Sequence, residues 1–284
     1  IKLLYIAWQL MRYAVLYPMS SAKGLTNFSW YFKASRLLRN RKYDDMRWGK
    51  RIAACLIKLG PSFIKFGQTL ATRSDLIGEE VANDLTLLQD RLAPFSFSVA
   101  KAIIENETGS PIDELFSSFE ETPIAAASIA QVHGAVTLDG HNVAVKVLRP
   151  DIEVSFANDL SLFTWIAVFL EHFFPWTTRL HPIKIVAVFS ETVALEMDMR
   201  MEAAAATELA ENFKDDLDFK VPVVFWATTT RRILTLERLN GCRPDDKAAI
   251  LSAGLDPSFI LQKSTSIFFN QVFRDGFFHA DMHP

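Results

Sequence analysis

"TPIAAASIAQVHGAVTLDGHNVAVKV", residues 122–147, is the stretch on which the fold turns. An apolar lead enters a loop made of Ala125, Ala126, Ala127, Ser128, Ile129 and Ala130. Two runs rich in β-branched residues follow, 132–138 and 142–147, and Asp139-Gly140 between them reads as a two-residue hairpin turn. The second run carries Lys146 in "VAVKV". On a strand this lysine points to one face while Val145 and Val147 point to the other. An ammonium on that face is either solvated or, if covered, in need of an anion. From Ala127 to Lys146 there is room for one hairpin, which folds the loop back above the lysine. That arrangement covers phosphates from above and pairs them from below. A phosphate loop uses glycines to converge its N–H groups, and this loop has alanines instead.

Downstream, residues 182–213 read as one long helix, with Ala203 to Ala206 as strong helix formers. Asp198 and Glu202 are four apart and share a face, whereas Glu196, six before Glu202, points elsewhere on an unbroken helix. Leu195, Met197, Met199 and Met201 surround these carboxylates, which predicts that part of the cluster is buried and seeks a cation. Lys146 is one candidate. Upstream, "GPSFIKFGQTLATRSD" opens on Gly60-Pro61, a helix start, because proline at the first helical position loses no needed N–H. Lys65 and Gln68 share a face of that helix, and Gly67 permits a close approach. The stretch "VPVVFWATTTRRILTLERL", 221–239, reads as strands, and the remainder is helical up to "FFHADMHP". There His279, Asp281 and His283 alternate, so an extended chain puts them on one side. They form either a metal site of imidazoles and a carboxylate or a catalytic loop in which Asp281 orients or deprotonates a nucleophile. The preceding order of sheet, lysine and helix glutamate favours the loop.

The 284 residues are 50% hydrophobic, ample for one large domain or two. A formal charge of −3 makes no whole-chain case for nucleic acid. Cys55 and Cys242, two cysteines far apart, fit a reduced compartment rather than a disulfide framework. No window reaches the ~18 uninterrupted apolar residues of a membrane span. Residues 160–170 are apolar but run into Glu171, His172 and Pro175. Residues 1–18, "IKLLYIAWQLMRYAVLYP", are interrupted by Lys2, Gln9 and Arg12 and read as an interfacial helix. The basic cluster of Lys33, Arg36, Arg39, Arg41, Lys42, Arg47, Lys50 and Arg51 beside it suits anionic lipid headgroups. With Ile1 at one end and Pro284 at the other, both ends read as cut.

Together these blocks resemble the UbiB family of atypical kinase-like ATPases of ubiquinone biosynthesis. "KFGQ" looks like the family's KxGQ helix, "AAASIAQVH" its alanine-rich loop, "VAVK" its nucleotide lysine, "EMDMRMEAA" its ExD segment and helix glutamate, and "FFHADMHP" the start of its catalytic loop. The resemblance implies an α+β, protein-kinase-like fold with an N-terminal helical extension and a truncated C-lobe. It divides the chain into a membrane-proximal segment (1–58), a helical extension with the KxGQ motif (59–119), a kinase-like N-lobe (120–239) and the start of the C-lobe (240–284). It assigns Glu202 to Lys146, and Glu196 with Asp198 to Lys65, which requires a helix break near Met197. It makes Asp281, Lys65, Glu196 and Asp198 catalytic. Ala125, Ala126, Ala127, Ser128, Lys146, Glu202, Glu237 and Leu239 become the nucleotide contacts. The implied cofactors are ATP or ADP with Mg2+, whose ligands in the family follow the HADxHP segment. The implied partners are membrane lipids and ubiquinone precursors or other ubiquinone-biosynthesis proteins, with no nucleic acid, at the cytoplasmic face of a bacterial inner membrane. A stiffer loop and the KxGQ helix argue against phosphorylation of proteins in trans. A small-molecule phosphotransferase, or a nucleotide- and lipid-binding scaffold without turnover, is the alternative.

Overall fold

The computed structural model describes residues 2–15, 40–43, 45–88, 93–242, 244 and 246–278. In chain order its main elements are α1 (Lys2–Arg12), α2 (Trp48–Leu59), α3 (Pro61–Ala71), α4 (Glu79–Leu85), α5 (Phe97–Thr108), β1 (Phe116–Phe119), β2 (Ala125–Ala126), β3 (Ala130–Thr137) and β4 (Asn142–Leu148). There follow α6 (Ile152–Phe173), α7 (Pro182–Glu196), α8 (Met199–Asn212), β5 (Ile233–Glu237), α9 (Lys247–Ser252) and α10 (Pro257–Phe269). The chain divides into two compact units, one of Ile1–Ser96, Pro123–Gln131 and Leu148–Met197, the other of Phe97–Thr122, Val132–Val147 and Asp198–Pro284.

The first unit is helical. Pro61 opens α3 directly after Gly60, whose φ of +112° lets the chain leave α2 and start again. Ala53, Ile64, Leu85 and Leu88 form a buried core among α2, α3 and α4. The other side of α3 is aromatic. Phe63 meets Phe163 edge to face at 4.9 Å between centroids, and Phe66 meets Phe189 edge to face at 5.3 Å. Such edge contacts place one ring's positive rim on another's negative face. They seat α3 against α6 and α7, which run as a helical hairpin. The apolar stretch expected at 160–170 lies inside the longer α6. By length and composition alone α6 could cross a bilayer.

The second unit is built on an antiparallel sheet in the order β1-β3-β4-β5. Lys146 lies opposite Leu234, and Val143 opposite Glu237. Val143, Val145 and Val147 are fully buried, as the alternation requires. The β3–β4 hairpin differs from the two-residue turn expected. Gly140 N–H donates to Thr137 O at 3.0 Å, Thr137 N–H donates to His141 O at 2.9 Å, and Gly140 sits at φ +86°. This is a three-residue loop, a turn closed by a left-handed glycine. A two-residue type I′ turn needs positive φ at both central residues, and Asp139 does not have it.

Two further expectations are corrected. Of residues 221–239 only Ile233–Glu237 form a strand; Val224 makes a single bridge to Leu236, and Trp226–Thr228 coil into a 3-10 turn that ends the pairing. The single helix expected over 182–213 is two helices. α7 ends at Glu196, and α8 restarts after Asp198, whose extended backbone (φ −111°, ψ 97°) interrupts the spiral. The Asp198 carboxylate accepts the Arg200 N–H at 3.1 Å, capping the new helix, and Met199 N–H donates to Arg231 O at 2.9 Å.

Two outcomes follow from this packing. A Cβ added at Gly67 would stand 2.3 Å from one methyl of Leu88 and 2.6 Å from one of Leu56. Gly67→Ala gains about 1 kcal/mol of helix propensity but overpacks this core at a cost of about 1–3 kcal/mol. Thermal melts should show a midpoint lower by a few degrees; an unchanged or raised midpoint means the leucines move aside freely.

The second outcome concerns the cap, whose loss in Asp198→Ala should cost about 1 kcal/mol near neutral pH. Hydrogen bonding to Arg200 holds the Asp198 carboxyl below its ordinary pKa. Its contribution is therefore complete above the unfolded-state value of about 4 and is lost as pH falls through the lower folded value. Denaturation midpoints of wild type and variant should converge on acidification, and a gap that persists through it would contradict the cap.

Candidate functional site

Lys146 leaves β4 on the face opposite the buried valines and reaches Glu202 in the first turn of α8, with Nζ 2.7 Å from Oε2. The lysine side chain is 26% exposed and the glutamate 48%. The pair is thus open to water rather than buried, and its net contribution to stability is about 0–1 kcal/mol. What it fixes is the position of the ammonium group. The deeply buried Met199 and Ala203 anchor α8, so that Glu202 is presented from a firm base.

In the first unit Lys65, midway along α3, meets Glu196 at the last turn of α7 with Nζ 2.7 Å from Oε1. This pair is more enclosed, at 17% and 33% side-chain exposure. The neighbouring residues of "KFGQ" explain why the lysine arrives there. Phe66 is held by Phe163 and Phe189, Gly67 lets α3 settle onto Leu88 and Leu56, and Gln68 donates to Leu88 O at 3.1 Å. Of the partners expected for Lys65, Glu196 is brought to it; Asp198, in the second unit, forms an ion pair with Arg200 (2.6 Å) and caps α8.

The alanine-rich loop also lies in the first unit. Ala125 is exposed, Ala126 and Ala127 are half-buried, and Ser128 is buried. Ala127 N–H donates to Ala130 O at 2.8 Å, closing a tight turn. No residue from Ala125 to Gln131 has positive φ, so this loop never enters the region for which glycine is needed. Alanine is sufficient for the path the backbone takes, and it raises the cost of any other path.

Glu237 and Leu239 end β5 and the segment after it. The Glu237 carboxylate is engaged by Lys220, which holds its pKa down, and accepts Val223 N–H at 3.4 Å; Leu239 is exposed. His279, Asp281 and His283 lie outside the described residues. Among the described residues no three His, Cys, Asp or Glu side chains gather to hold a metal ion.

Three residues of this neighbourhood escape a reading of the sequence. Gln131 is fully buried and clamps Phe95, accepting its N–H at 3.0 Å and donating to its carbonyl at 3.3 Å. His133 is fully buried beside Phe97 and Phe119, with Nδ1 donating to Glu120 O at 2.8 Å. Burial pushes its imidazole below the ordinary histidine pKa, which keeps it neutral. Arg149, one position before Pro150, reaches back to the alanine-rich loop. For Gln131 and His133 a signal is present, since polar residues alternating with apolar ones on a central strand face inward as a pair. For Arg149 there is none.

Comparison with known proteins places this geometry. The ABC1 atypical kinase-like domain matches residues 87–284. "Probable protein kinase UbiB" of Marinobacter nauticus is 40% identical over all of the chain and 52% of its own length. The protein of the same name from Xylella fastidiosa (strain 9a5c) is 42% identical over 83% of the chain and 43% of its own length. The chain therefore spans about half the length of the curated relatives it matches. Among solved structures, Rv3197 of Mycobacterium tuberculosis, determined as a complex with erythromycin, is 28% identical with a TM-score of 0.53, covering 78% of this chain and 54% of that one. With its helices, antiparallel sheet and strand-borne lysine paired to a helix glutamate, the chain has a kinase-like fold and belongs to the UbiB family of ABC1 atypical kinase-like proteins.

Proposed function

We propose that the protein containing this chain is an atypical kinase or ATPase that supports ubiquinone biosynthesis at a membrane, binds ATP or ADP with Mg2+, and does not phosphorylate proteins in trans. One observation carries the nucleotide reading: Lys146 and Glu202 meet at 2.7 Å, from a strand and a helix in the order found in kinases. In that role Glu202 holds the ammonium extended, and Lys146 neutralises charge on the nucleotide's α- and β-phosphates. A cation partly open to solvent fits a phosphate, because it can take on a phosphate oxygen beside the carboxylate without a large desolvation cost. Mg2+, when bound, would supply neutralisation of phosphate charge; the family's ligands for it follow the HADxHP segment. Asp281 is assigned to orient the nucleophile by its motif alone.

The membrane assignment draws on the outer side of α1, where Leu3, Leu4, Tyr5 and Trp8 are exposed and Arg12 lies over Trp8 at 5.0 Å. The reading against protein substrates draws on the alanine-rich loop and on the engagement of Lys65 by Glu196. The erythromycin complex of the solved relative favours a second reading, a phosphotransferase acting on a small molecule.

The test is nucleotide binding and ATP turnover by the full-length protein, with and without liposomes and a ubiquinone-precursor mimic. Lys146→Ala should lower turnover by roughly 100-fold or more, the scale of losing a charge-stabilising donor. Glu202→Gln should lower it less, with the fold intact by circular dichroism. Turnover within twofold of wild type in Lys146→Ala would sink the nucleotide assignment, and stimulation by a small-molecule acceptor without any lipid effect would favour the second reading.

A further inference from the structure

We propose that Arg149 is a positioning residue, a latch that fixes the Ala127–Ser128 peptide and so sets the pose in which the alanine-rich loop receives a polyphosphate. This rests on the nucleotide reading above and adds a residue to it. The Arg149 guanidinium places two donors on one carbonyl: Nε lies 3.2 Å and Nη2 3.0 Å from Ala127 O. Its third arm, Nη1, donates to Ala93 O at 3.0 Å, and its own backbone N–H donates to Ile129 O at 2.9 Å. The guanidinium carbon lies 5.8 Å from the centre of the Phe95 ring, and Gln131 clamps the Phe95 backbone from both sides. Burial pulls the Arg149 pKa below its ordinary value, yet a guanidinium stays charged at any physiological pH. Pro150 restricts the preceding residue to extended backbone, so the arginine leaves β4 in one direction.

The consequence follows from peptide planarity. In a trans peptide the C=O and the next N–H point in opposite directions. With Ala127 O turned onto the guanidinium, the Ser128 N–H faces away from it. An anion at a backbone loop is held by N–H groups and repelled by carbonyls. A flipped Ala127–Ser128 peptide would turn a carbonyl where an N–H now points. In a turn such a flip demands positive φ at an adjoining residue. Alanine makes that conformer costly and Arg149 removes the reason to visit it. A glycine loop chooses among poses on contact with its ligand; this one is set beforehand.

The experiment uses the full-length protein with Arg149→Ala and Arg149→Lys; Arg149→Gln, which keeps one forked amide donor, substitutes if the alanine variant does not fold. Two readouts are taken, amide hydrogen exchange without ligand and separate affinities for ATP and ADP. The latch predicts exchange accelerated roughly tenfold at residues 126–130, confined to that loop, with an unchanged thermal midpoint. It also predicts that the ATP-to-ADP affinity ratio moves by several-fold, with Arg149→Lys intermediate in both. Exchange in the loop that matches wild type overturns the latch whatever the affinities do. Faster exchange spread over the whole helical unit, with a lowered midpoint, overturns it in favour of a general packing role. Accelerated loop exchange with both affinities scaled equally overturns the selectivity claim. A wild type that binds neither nucleotide brings down the nucleotide reading itself, and the exchange data then still decide the latch.

Discussion

The interruption of the helix at Met197 and Asp198 is the constraint on which the charged architecture depends. Two lysines of distant origin each need a carboxylate, and both carboxylates come from one short segment, "LEMDMRME". On a continuous α-helix Glu196 and Glu202 point in different directions fixed by helical geometry alone. The break frees the second helix from the rotational phase of the first. Asp198 stabilises the break by giving its carboxylate to the new helix. The same short sequence thus contains one partner for Lys65, one for Lys146 and the cap between them.

The Lys65 pair depends in turn on apolar packing. An ion pair at a partly exposed surface is too weak to position a helix. Here the positioning is done by Phe63 and Phe66 against Phe163 and Phe189, and by Gly67 against two leucines. The lysine arrives where it does because its sequence neighbours are anchored. The four residues of "KFGQ" therefore act separately: Lys65 supplies the charge, Phe66 the aromatic anchor, Gly67 the close approach, and Gln68 a hydrogen bond to Leu88 O.

Much of this is legible in the chain. The alternation of "VAVKV" decides which face Lys146 takes, and Gly60-Pro61 decides the start of α3, because each is a local rule with little competition. The wheel positions of Glu196 and Glu202 separate the two carboxylates only on an unbroken helix; in the structure they lie on two helices, with extended Asp198 between. What is not legible has physical causes. Residues 221–232 are rich in β-branched and aromatic side chains, yet a strand needs a partner along its length, and here pairing is limited to a single bridge at Val224, flanked by hydrogen bonds at Val223 and Phe225, before the turn at Trp226. That Asp198 caps α8 and pairs with Arg200 is not legible either, because side-chain capping by a residue two positions away leaves no mark in hydrophobic periodicity. Arg149 reads as a polar residue at a strand end; that its fork closes on a carbonyl 22 positions earlier is a fact of tertiary structure only.

The openness of the Lys146–Glu202 pair carries one more implication. A cation and anion that remain hydrated while paired form a neutral, readily exchanged couple, as in an ion-exchange resin. In the proposed nucleotide role an arriving polyanion does not meet a bare positive charge; it meets an ammonium that Glu202 already holds, and shares it. In that role the Glu202 carboxylate, in the first turn of α8, would lie near an added negative charge that the helix N-terminus helps to offset. Occupancy by a strongly charged ligand would thereby become a push on that turn of the helix, greatest for the ligands whose charge is highest.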